Sequence, residues 1–317
     1  MENFISALPS AISQGLIWGI MAIGVYITFR ILDVSDLTVD GSFCTGGVTF
    51  VVLFSGGMNI WLAMVCAFLV GMLTGLVTGL LHTFCGIPAI LAGILTQLGL
   101  WSVNLAIMSM KANVSINVIN KESLDKLLVS LRFVQDVAKG DRPFTQHPIF
   151  VVGLFTLVII AILYWFFGTE LGCSMRATGS NPNMARAQGI NTDRNKVLAL
   201  MIANGLVALS GSLLAQFQSY GDINMGRGAI VIGLAAVIIG EVVFGKIFRN
   251  FGLKLLAVSL GAVIYYVVIQ AVLSFGQINS NYLKLISATI VAIFLSVPYW
   301  KGKYFTKPVK RGGTTHA

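Results

Sequence analysis

Nine apolar segments, most of them close to the length of a membrane span, follow one another along this 317-residue chain. A helix needs about 20 mostly apolar residues to cross the hydrocarbon core of a bilayer. Only 10% of the residues are charged, whereas a soluble domain carries about 25%. We therefore predict an all-α polytopic membrane protein with about nine or ten transmembrane helices. The predicted spans are Ala11–Phe29, Phe43–Phe54, Ile60–Leu81, Ile87–Met110, Ile149–Phe167, Val197–Phe217, Ala229–Phe244, Leu255–Phe275 and Leu285–Trp300.

Two of these spans, Phe43–Phe54 and Ala229–Phe244, are short. Each follows a long span, an acidic link and a glycine, and such matching interruptions in two halves of a chain are typical of an internal repeat with a binding site between its copies. We predict broken helices and an internal repeat. The acidic links carry Asp33, Asp36 and Asp40 before Gly41 in the first half, and Asp222 and Arg227, which we expect to neutralise each other, in the second.

Glycines at a four-residue spacing predict where helices pack. Small residues at this spacing let helix backbones approach closely inside a bilayer. One such ridge occurs in the third long stretch and another in the first: Gly71, Gly75 and Gly79, and Gly15 and Gly19.

No soluble domain remains once the spans are removed, so residues 1–317 form a single transmembrane domain. Its longest polar stretch is 111–147, which holds six Lys or Arg and four acids. Five apolar residues in it fall at helical spacing and predict a short amphipathic helix on the membrane surface. They are Leu124, Leu127, Leu128, Leu131 and Val134.

Basic residues in the short links set the predicted orientation. Lys246, Arg249 and Lys254 crowd one link, and Lys301, Lys303, Lys307, Lys310 and Arg311 crowd the C-terminal tail. The positive-inside rule makes both cytoplasmic. Counting helices backwards puts 169–196 in the cytoplasm and 111–147 outside. Strict counting leaves the N-terminus outside, and a re-entrant Phe43–Phe54 would move it inside. The first segment has no basic region before its apolar run, so we expect no cleaved signal peptide.

The sequence offers no catalytic, metal or cofactor motif. The four cysteines have no metal spacing, the three histidines are isolated, and there is no Walker A, HExxH or GxSxG sequence. We expect no cofactor in this chain and no enzymatic activity of its own. The net charge of +9 is spread over links and tail, which is typical of topology determinants and does not indicate nucleic-acid binding.

The predicted cytoplasmic loop 169–196 contains the signals of a short helix. Asn181 suits the N-cap, Pro182 the first helical position and Gly189 the C-terminal stop, which predicts a helix over Pro182–Gln188. One interpretation is a rigid knob that transmits motion from a soluble partner, to which Arg176, Arg186 and Arg194 offer charge. The other is an ordinary capped loop helix.

Three runs resemble a known family. They are RATGSNPNMARAQGIN from Arg176, DLTVDGSF from Asp36 and GLAAVIIGE from Gly233. Together they are similar to permeases of the branched-chain amino acid and ribose type of ATP-binding-cassette (ABC) importers. The group that includes tryptophan and tyrosine importers is the most similar. The resemblance covers about Gly15 to Pro298, without the outer loop. It implies a coupling role for Arg176, Asn181, Pro182, Ala185, Arg186 and Gly189.

The resemblance also implies an assembly in a bacterial inner membrane. Two permease subunits would contact membrane lipid, two ATP-binding subunits would lie inside, and a solute-binding protein would lie outside. The chain would then move a small solute inward, an amino acid and possibly an aromatic one, by alternating access. An ion-gradient-driven secondary transporter is the alternative, with Asp40 or Glu241 as the titrating carboxylate. A membrane enzyme is a weaker third reading, because no paired catalytic residues are visible.

Polar residues inside or beside apolar spans are the candidates for the translocation pathway, since intramembrane charges commonly mark such pathways. Asp33 and Asp36 have a solvated loop as the alternative reading, and Glu241 has a snorkelling contact with Lys246 and Arg249. For Gln97, Asn104, Asn204, Gln216 and Gln218 the alternative is hydrogen bonding between helices. The predicted pathway residues are Asp36, Asp40, Ser42, Gln97, Asn104, Asp222 and Glu241.

Overall fold

The structure, a computed structural model, describes residues 2–116, 126–139, 143–276 and 283–304. Within them the chain forms twelve α-helices and a two-stranded sheet. The helices are α1 (Glu2–Tyr26, continued by a π-turn Ile27–Ile31), α2 (Val39–Ser55), α3 (Ile60–Thr83), α4 (Ala89–Ile107), α5 (Leu131–Lys139), α6 (Pro148–Gly168), α7 (Glu170–Ser180), α8 (Pro182–Ala187), α9 (Thr192–Gln218), α10 (Ala229–Phe244), α11 (Phe251–Gly276) and α12 (Leu283–Tyr304). The strands are β1 (Asn113–Ser115) and β2 (Tyr220–Asp222). Every predicted span corresponds to a helix, which confirms the all-α polytopic fold.

Six helices of the described part are long and apolar enough to cross a membrane, and α2, α10 and part of α12 are shorter apolar helices. The helices α1 and α9 form the centre, with 78% of each apolar window buried, against 22% for α4 and 28% for α6. They run antiparallel, because the Ser210 hydroxyl of α9 donates to the Ile17 carbonyl (2.7 Å) while Gly24 lies against Ala203. Peripheral helices therefore keep broad apolar faces for lipid or for another chain.

Polar caps set several helix starts. The side chains of Asn59, His147, Thr169 and Asn191 accept backbone N–H groups at the first turns of α3, α6, α7 and α9. The first N–H groups of a helix have no partner within the helix, so such acceptors stabilise its beginning. These caps separate long spans that would otherwise run together as apolar sequence.

Two short helices begin inside the bundle and run in opposite directions. Helix α2 follows α9 in parallel, since Ser42 bonds Asn204 and Gly46 lies against Ala208. Asn204 is twelve residues beyond Thr192, so α2 begins about 18 Å along α9 at 1.5 Å per residue. Helix α10 instead follows α1 in parallel, with Gly233 against Met21 and Val25.

The two halves of the chain therefore repeat one arrangement with inverted direction. In each half a long helix (α1 or α9) is followed by a half-helix (α2 or α10) and two further helices. The halves exchange partners: α2 and α3 pack on α9, whereas α10 and α11 pack on α1. This inverted repeat confirms the prediction of broken helices and an internal repeat.

The glycine ridges lie at helix contacts, as predicted. A Cβ at Gly75 would overlap the Leu200 backbone of α9, and a Cβ at Gly15 would come within 2.7 Å of the Val263 Cα of α11. Close backbone approach at these positions holds the peripheral helices α3 and α11 against the centre.

The link directions define two faces. We call the side that carries α7, α8 and the link 245–250 the α8 face, and the side that carries β1, β2 and α5 the sheet face. Helix α1 begins on the sheet face and α12 ends on the α8 face, as strict helix counting predicted.

The predicted amphipathic segment differs from its expectation. Helix α5 is shorter, and Leu127, Phe133 and Val134 near or within it are 4%, 2% and 6% exposed and join the main apolar core. Its buried apolar residues pack towards α1 and α6. Leu124 and the tail beyond Tyr304 lie outside the described residues.

Candidate translocation site

The starts of the two half-helices meet at Asp40. Its carboxylate accepts hydrogen bonds from Gly228 N and Ile230 N, each at 2.9 Å, at the first turn of α10. Gly226 lies against the Asp40 carbonyl so closely that a Cβ there would overlap it. Asp40 is itself in the first turn of α2. One carboxylate thus balances the positive ends of two helix dipoles deep in the bundle.

A buried polar network lies beside Asp40. The Asn204 amide donates to Asp36 Oδ2 (2.7 Å), and the Ser42 hydroxyl donates to Asn204 Oδ1 (2.6 Å) and lies 2.7 Å from Thr74 Oγ1. Thr38 N donates to Asp36 Oδ1 at 2.9 Å. Asp36, Ser42 and Asn204 are 3%, 0% and 0% exposed. In this arrangement they fix the α1–α2 link to α9 and α3.

Threonines continue the network. The Thr78 hydroxyl lies 2.7 Å from Thr38 Oγ1 and donates to Thr96 Oγ1 of α4 at 3.0 Å. These hydroxyl contacts connect the start of α2, inside the bundle, to α4, which is the most exposed of the six long spans.

A cleft opens beside Asp40, between α2, α4 and the link that precedes α10. Its volume is about 170 Å³. Three of the predicted pathway residues, Asp40, Gln97 and Asn104, line it, together with Trp101 and Arg227. Asn104 is 2% exposed, and its Oδ1 has no hydrogen-bond partner among the described residues. The cleft is therefore lined by one unpaired amide oxygen and by a charged side chain of each sign.

Asp222 has a local role and does not pair with Arg227. Its Oδ1 accepts Asn224 N at 2.7 Å, and its carbonyl lies 3.5 Å from the Cys44 thiol. Among the described residues no ion pair joins Asp222 to Arg227. The expected neutralisation is wrong because the turn after β2 uses the Asp222 carboxylate itself.

Glu241 pairs with Arg30 and not with Lys246 or Arg249. Arg30 Nε donates to Glu241 Oε1 and Arg30 Nη2 donates to Glu241 Oε2, each at 2.7 Å. The Arg30 and Glu241 side chains are 54% and 34% exposed. This bidentate pair ties the end of α1 to α10 near the α8 face, so the snorkelling interpretation of Glu241 is wrong.

The loop 169–196 forms a compact helical corner. Asn181 Oδ1 accepts Asn183 N and Met184 N, both at 3.1 Å, and α8 ends before Gly189, whose φ of +82° suits glycine. Helix α8 stops one residue earlier than predicted, and α7, which the glycine-rich sequence concealed, precedes it. Ala185 is 2% exposed, whereas Met184 is 57% exposed.

Two arginines brace this corner from within the chain. Arg176 donates to the Phe167 carbonyl at 2.8 Å, and Arg186 donates to Thr192 Oγ1 at 2.7 Å and pairs with Asp193 at 3.2 Å. The corner also contacts the end of α1: a Cβ at Gly179 would overlap the Ile31 carbonyl. Ile31 leads directly into the link that carries Asp36.

Several site residues had weak sequence signals. Arg30, Trp101 and Arg227 stand alone in sequence, and only the fold brings them to their partners. The four-residue spacing of Thr74 and Thr78 was a usable signal, because it places both hydroxyls on one face of a helix.

The chain matches the family model described as branched-chain amino acid transport system, permease component, over residues 8–295. It is 37% identical to a tyrosine transport system permease protein of Clostridioides difficile (strain R20291), over 92% of this chain and 91% of that protein. It is 32% identical to an uncharacterised protein of Rickettsia prowazekii (strain Madrid E), over 91% and 96%. An autoinducer 2 import system permease protein, LsrC, of Yersinia pestis (strain Pestoides F) is 27% identical over 70% of this chain and 58% of that protein.

No solved structure matches the chain. The family match covers most of the described helices, and the relatives extend over nearly the whole length. The fold adds a multi-pass helical domain with two half-helices that meet at depth. The chain therefore belongs to the permease family of branched-chain amino acid transport systems, as a multi-pass inner-membrane subunit of an ABC-type transporter.

Proposed function

We propose that this permease imports an amino acid, with an aromatic side chain, by alternating access driven by a separate ATP-binding subunit. The α8 face is then cytoplasmic, and a solute-binding protein delivers the amino acid at the sheet face. The Clostridioides difficile relative is a tyrosine transport system permease protein, which supports this substrate class. A second copy of the chain completes the pathway, and the broad exposed face of α4 supplies a surface for it.

One observation carries the proposal: the helical corner α7–α8 has an exposed surface and also packs against the end of α1. Met184 presents an apolar tip on α8, while Met175 and Thr178 of α7 are each 1% exposed. Gly179 packs on the Ile31 carbonyl at the end of α1. A partner that pushes α8 would therefore move the 32–38 link and, through Asp36, the start of α2.

The candidate coupling residues divide into two roles in this mechanism. Asn181, Pro182 and Gly189 define the start and end of α8, and Arg176 and Arg186 hold the corner to α6 and α9. Ala185 is buried and positions the helix. Met184 is the large apolar side chain that α8 exposes, and it would meet the ATP-binding subunit.

The secondary-transporter alternative needs a carboxylate that is free to exchange protons or ions. Asp40 accepts two backbone N–H groups and Glu241 forms two hydrogen bonds to Arg30. Each carboxylate would have to release these partners in order to gain and lose a proton during transport, which favours the ATP-driven mechanism.

The test is co-purification of the tagged chain from its native membrane under gentle detergent. We expect an ATP-binding subunit to accompany the wild type and to be reduced at least about tenfold, roughly 1.4 kcal/mol, by Met184→Asp. Met110→Asp is the matched control, since Met110 is 72% exposed on the sheet face. Absence of the ATPase from wild-type preparations would overturn the importer proposal. Retention by Met184→Asp would overturn only the role of α8.

A further inference from the structure

The cleft beside Asp40 carries one fixed charge of each sign. The Asp40 carboxylate is held in place by the first turn of α10. The Arg227 side chain is exposed and forms no hydrogen bond or ion pair with any described residue, although it lines the same cleft. The wall is therefore neutral in sum but strongly dipolar.

Uncharged polar groups lie between the two charges. Asn104 is almost fully buried, and in the part of the chain that the structure describes its Oδ1 has no hydrogen-bond partner. A buried polar atom without a hydrogen bond destabilises the protein, so a ligand that donates a hydrogen bond to it gains affinity. Gln97 adds a second amide to the wall.

The remaining wall is apolar. Trp101 is 48% exposed and Leu98 is 65% exposed on α4, and Ile223 lies on the opposite side. An aromatic ring stacks favourably on indole. This wall suits a flat apolar side chain.

We propose that this cleft is a translocation subsite for a zwitterionic α-amino acid. Arg227 binds the carboxylate, Asp40 and Asn104 Oδ1 accept hydrogen bonds from the ammonium, and Trp101 packs on the side chain. The inference rests on the proposed import function and names the chemistry of its pathway. A sugar would use the amides and the indole but would leave the opposed charges of Asp40 and Arg227 without a role.

The geometry also sets the strength of binding. At about 170 Å³ the cleft is smaller than the roughly 300–1,000 Å³ of a complete ligand pocket, and it lies at the exposed face of α4. The subsite therefore holds the amino acid in part and weakly, which suits a solute in transit.

The experiment measures protection of a cysteine by solute. The permease–ATPase complex, without binding protein, is placed in nanodiscs and carries Leu98→Cys with Cys66, Cys85 and Cys173 changed to Ser. Labelling by N-ethylmaleimide is then timed with L-phenylalanine, with phenethylamine, which lacks the carboxylate, with 3-phenylpropionate, which lacks the ammonium, and with ribose. We expect L-phenylalanine to protect at a concentration at least about tenfold lower than any of the other three, a difference of about 1.4 kcal/mol.

Variants test whether Arg227 binds the carboxylate of the amino acid. Arg227→Gln is expected to remove the difference between L-phenylalanine and phenethylamine, and Arg227→Lys to restore part of it. Lys111→Gln, which removes an exposed charge on the sheet face outside the cleft, is the control and should leave it unchanged. Retention of the ATPase shows that each variant is folded.

Three outcomes overturn the subsite: equal protection by all four solutes, stronger protection by ribose, or full discrimination in Arg227→Gln. ATP-dependent uptake of L-phenylalanine by the wild-type transporter is measured in parallel with its binding protein. If uptake occurs while protection shows no discrimination, the subsite is wrong and the import function stands. If uptake is absent, the import function itself fails.

Discussion

The buried link between Asp36 and Asn204 gives the sharpest stability prediction. Asn204→Leu replaces an amide by an apolar side chain of similar size and removes its hydrogen bonds to Asp36 and Ser42. Each orphaned buried group costs about 1–3 kcal/mol. Ser42 keeps Thr74 as a partner, so most of the loss falls on Asp36. We expect the free energy of unfolding to fall by about 3 kcal/mol.

The assay is SDS-titrated unfolding in mixed micelles, with Asn204→Leu, Asp36→Leu and the double variant compared. Replacement of both partners by apolar groups removes the orphaned carboxyl, so the double variant should lose at least about 1 kcal/mol less than the two single losses combined. Thr156→Val is the control, because the Thr156 hydroxyl bonds only its own helix, at Val152 O. A change below about 0.5 kcal/mol for Asn204→Leu, or strict additivity, would refute the reasoning.

Three further predictions concern other contacts. A double-mutant cycle on Arg30→Gln and Glu241→Gln should give a coupling of about 1 kcal/mol, the upper range for a half-exposed pair, because the contact is bidentate. Gly75→Ala should cost about 1–3 kcal/mol of unfolding free energy by overpacking against α9. Gly153→Ala on α6 should cost less than about 0.5 kcal/mol, because a Cβ there would lie at an ordinary contact distance, 3.9 Å, from Leu16 Cδ1. Burial lowers the pKa of His147, which caps α6 in its neutral form. The unfolded chain then binds the proton more readily, so thermal stability should fall as the pH drops below about 6.5. His147→Asn, which caps without titrating, should flatten this dependence between pH 7.5 and 5.5.

Each of these three has a contradicting result. Zero coupling in the cycle would mean that the Arg30–Glu241 ion pair does not stabilise the protein. Equal stability of the two glycine variants would contradict the close packing of α3 on α9. An unchanged pH profile in the histidine variant would remove the capping argument.

Much of the fold follows from sequence because the bilayer imposes a length on each apolar run. The predicted spans end within five residues of the observed helix ends, except that α1 begins nine residues before the predicted Ala11, and the short runs at Phe43–Phe54 and Ala229–Phe244 predicted the half-helices α2 and α10. The caps at Asn181 and Pro182 predicted α8 for a similar reason: a helix start has its own local chemistry.

The partners of polar side chains were harder to predict because they depend on tertiary contact. Arg30 meets Glu241 across 211 positions of sequence, and Lys246 and Arg249 were nearer in the chain but not in space. Asp222 was expected to pair with Arg227, yet the turn after β2 uses its carboxylate. Asp36 and Asp40 share a motif, but only Asp40 lines the cleft. Asp36 is bonded to Asn204 of α9 and Asp40 lines the cleft, and this difference depends on how the start of α2 packs against α9.

Uptake into proteoliposomes tests the central claim most directly. The permease and its ATP-binding subunit are reconstituted with the α8 face towards the lumen, and radiolabelled L-tyrosine is supplied outside with the binding protein. The account predicts accumulation only when ATP is enclosed in the lumen, unchanged by ionophores that collapse proton and sodium gradients. Accumulation without ATP that ionophores abolish would contradict it and establish ion-coupled transport instead.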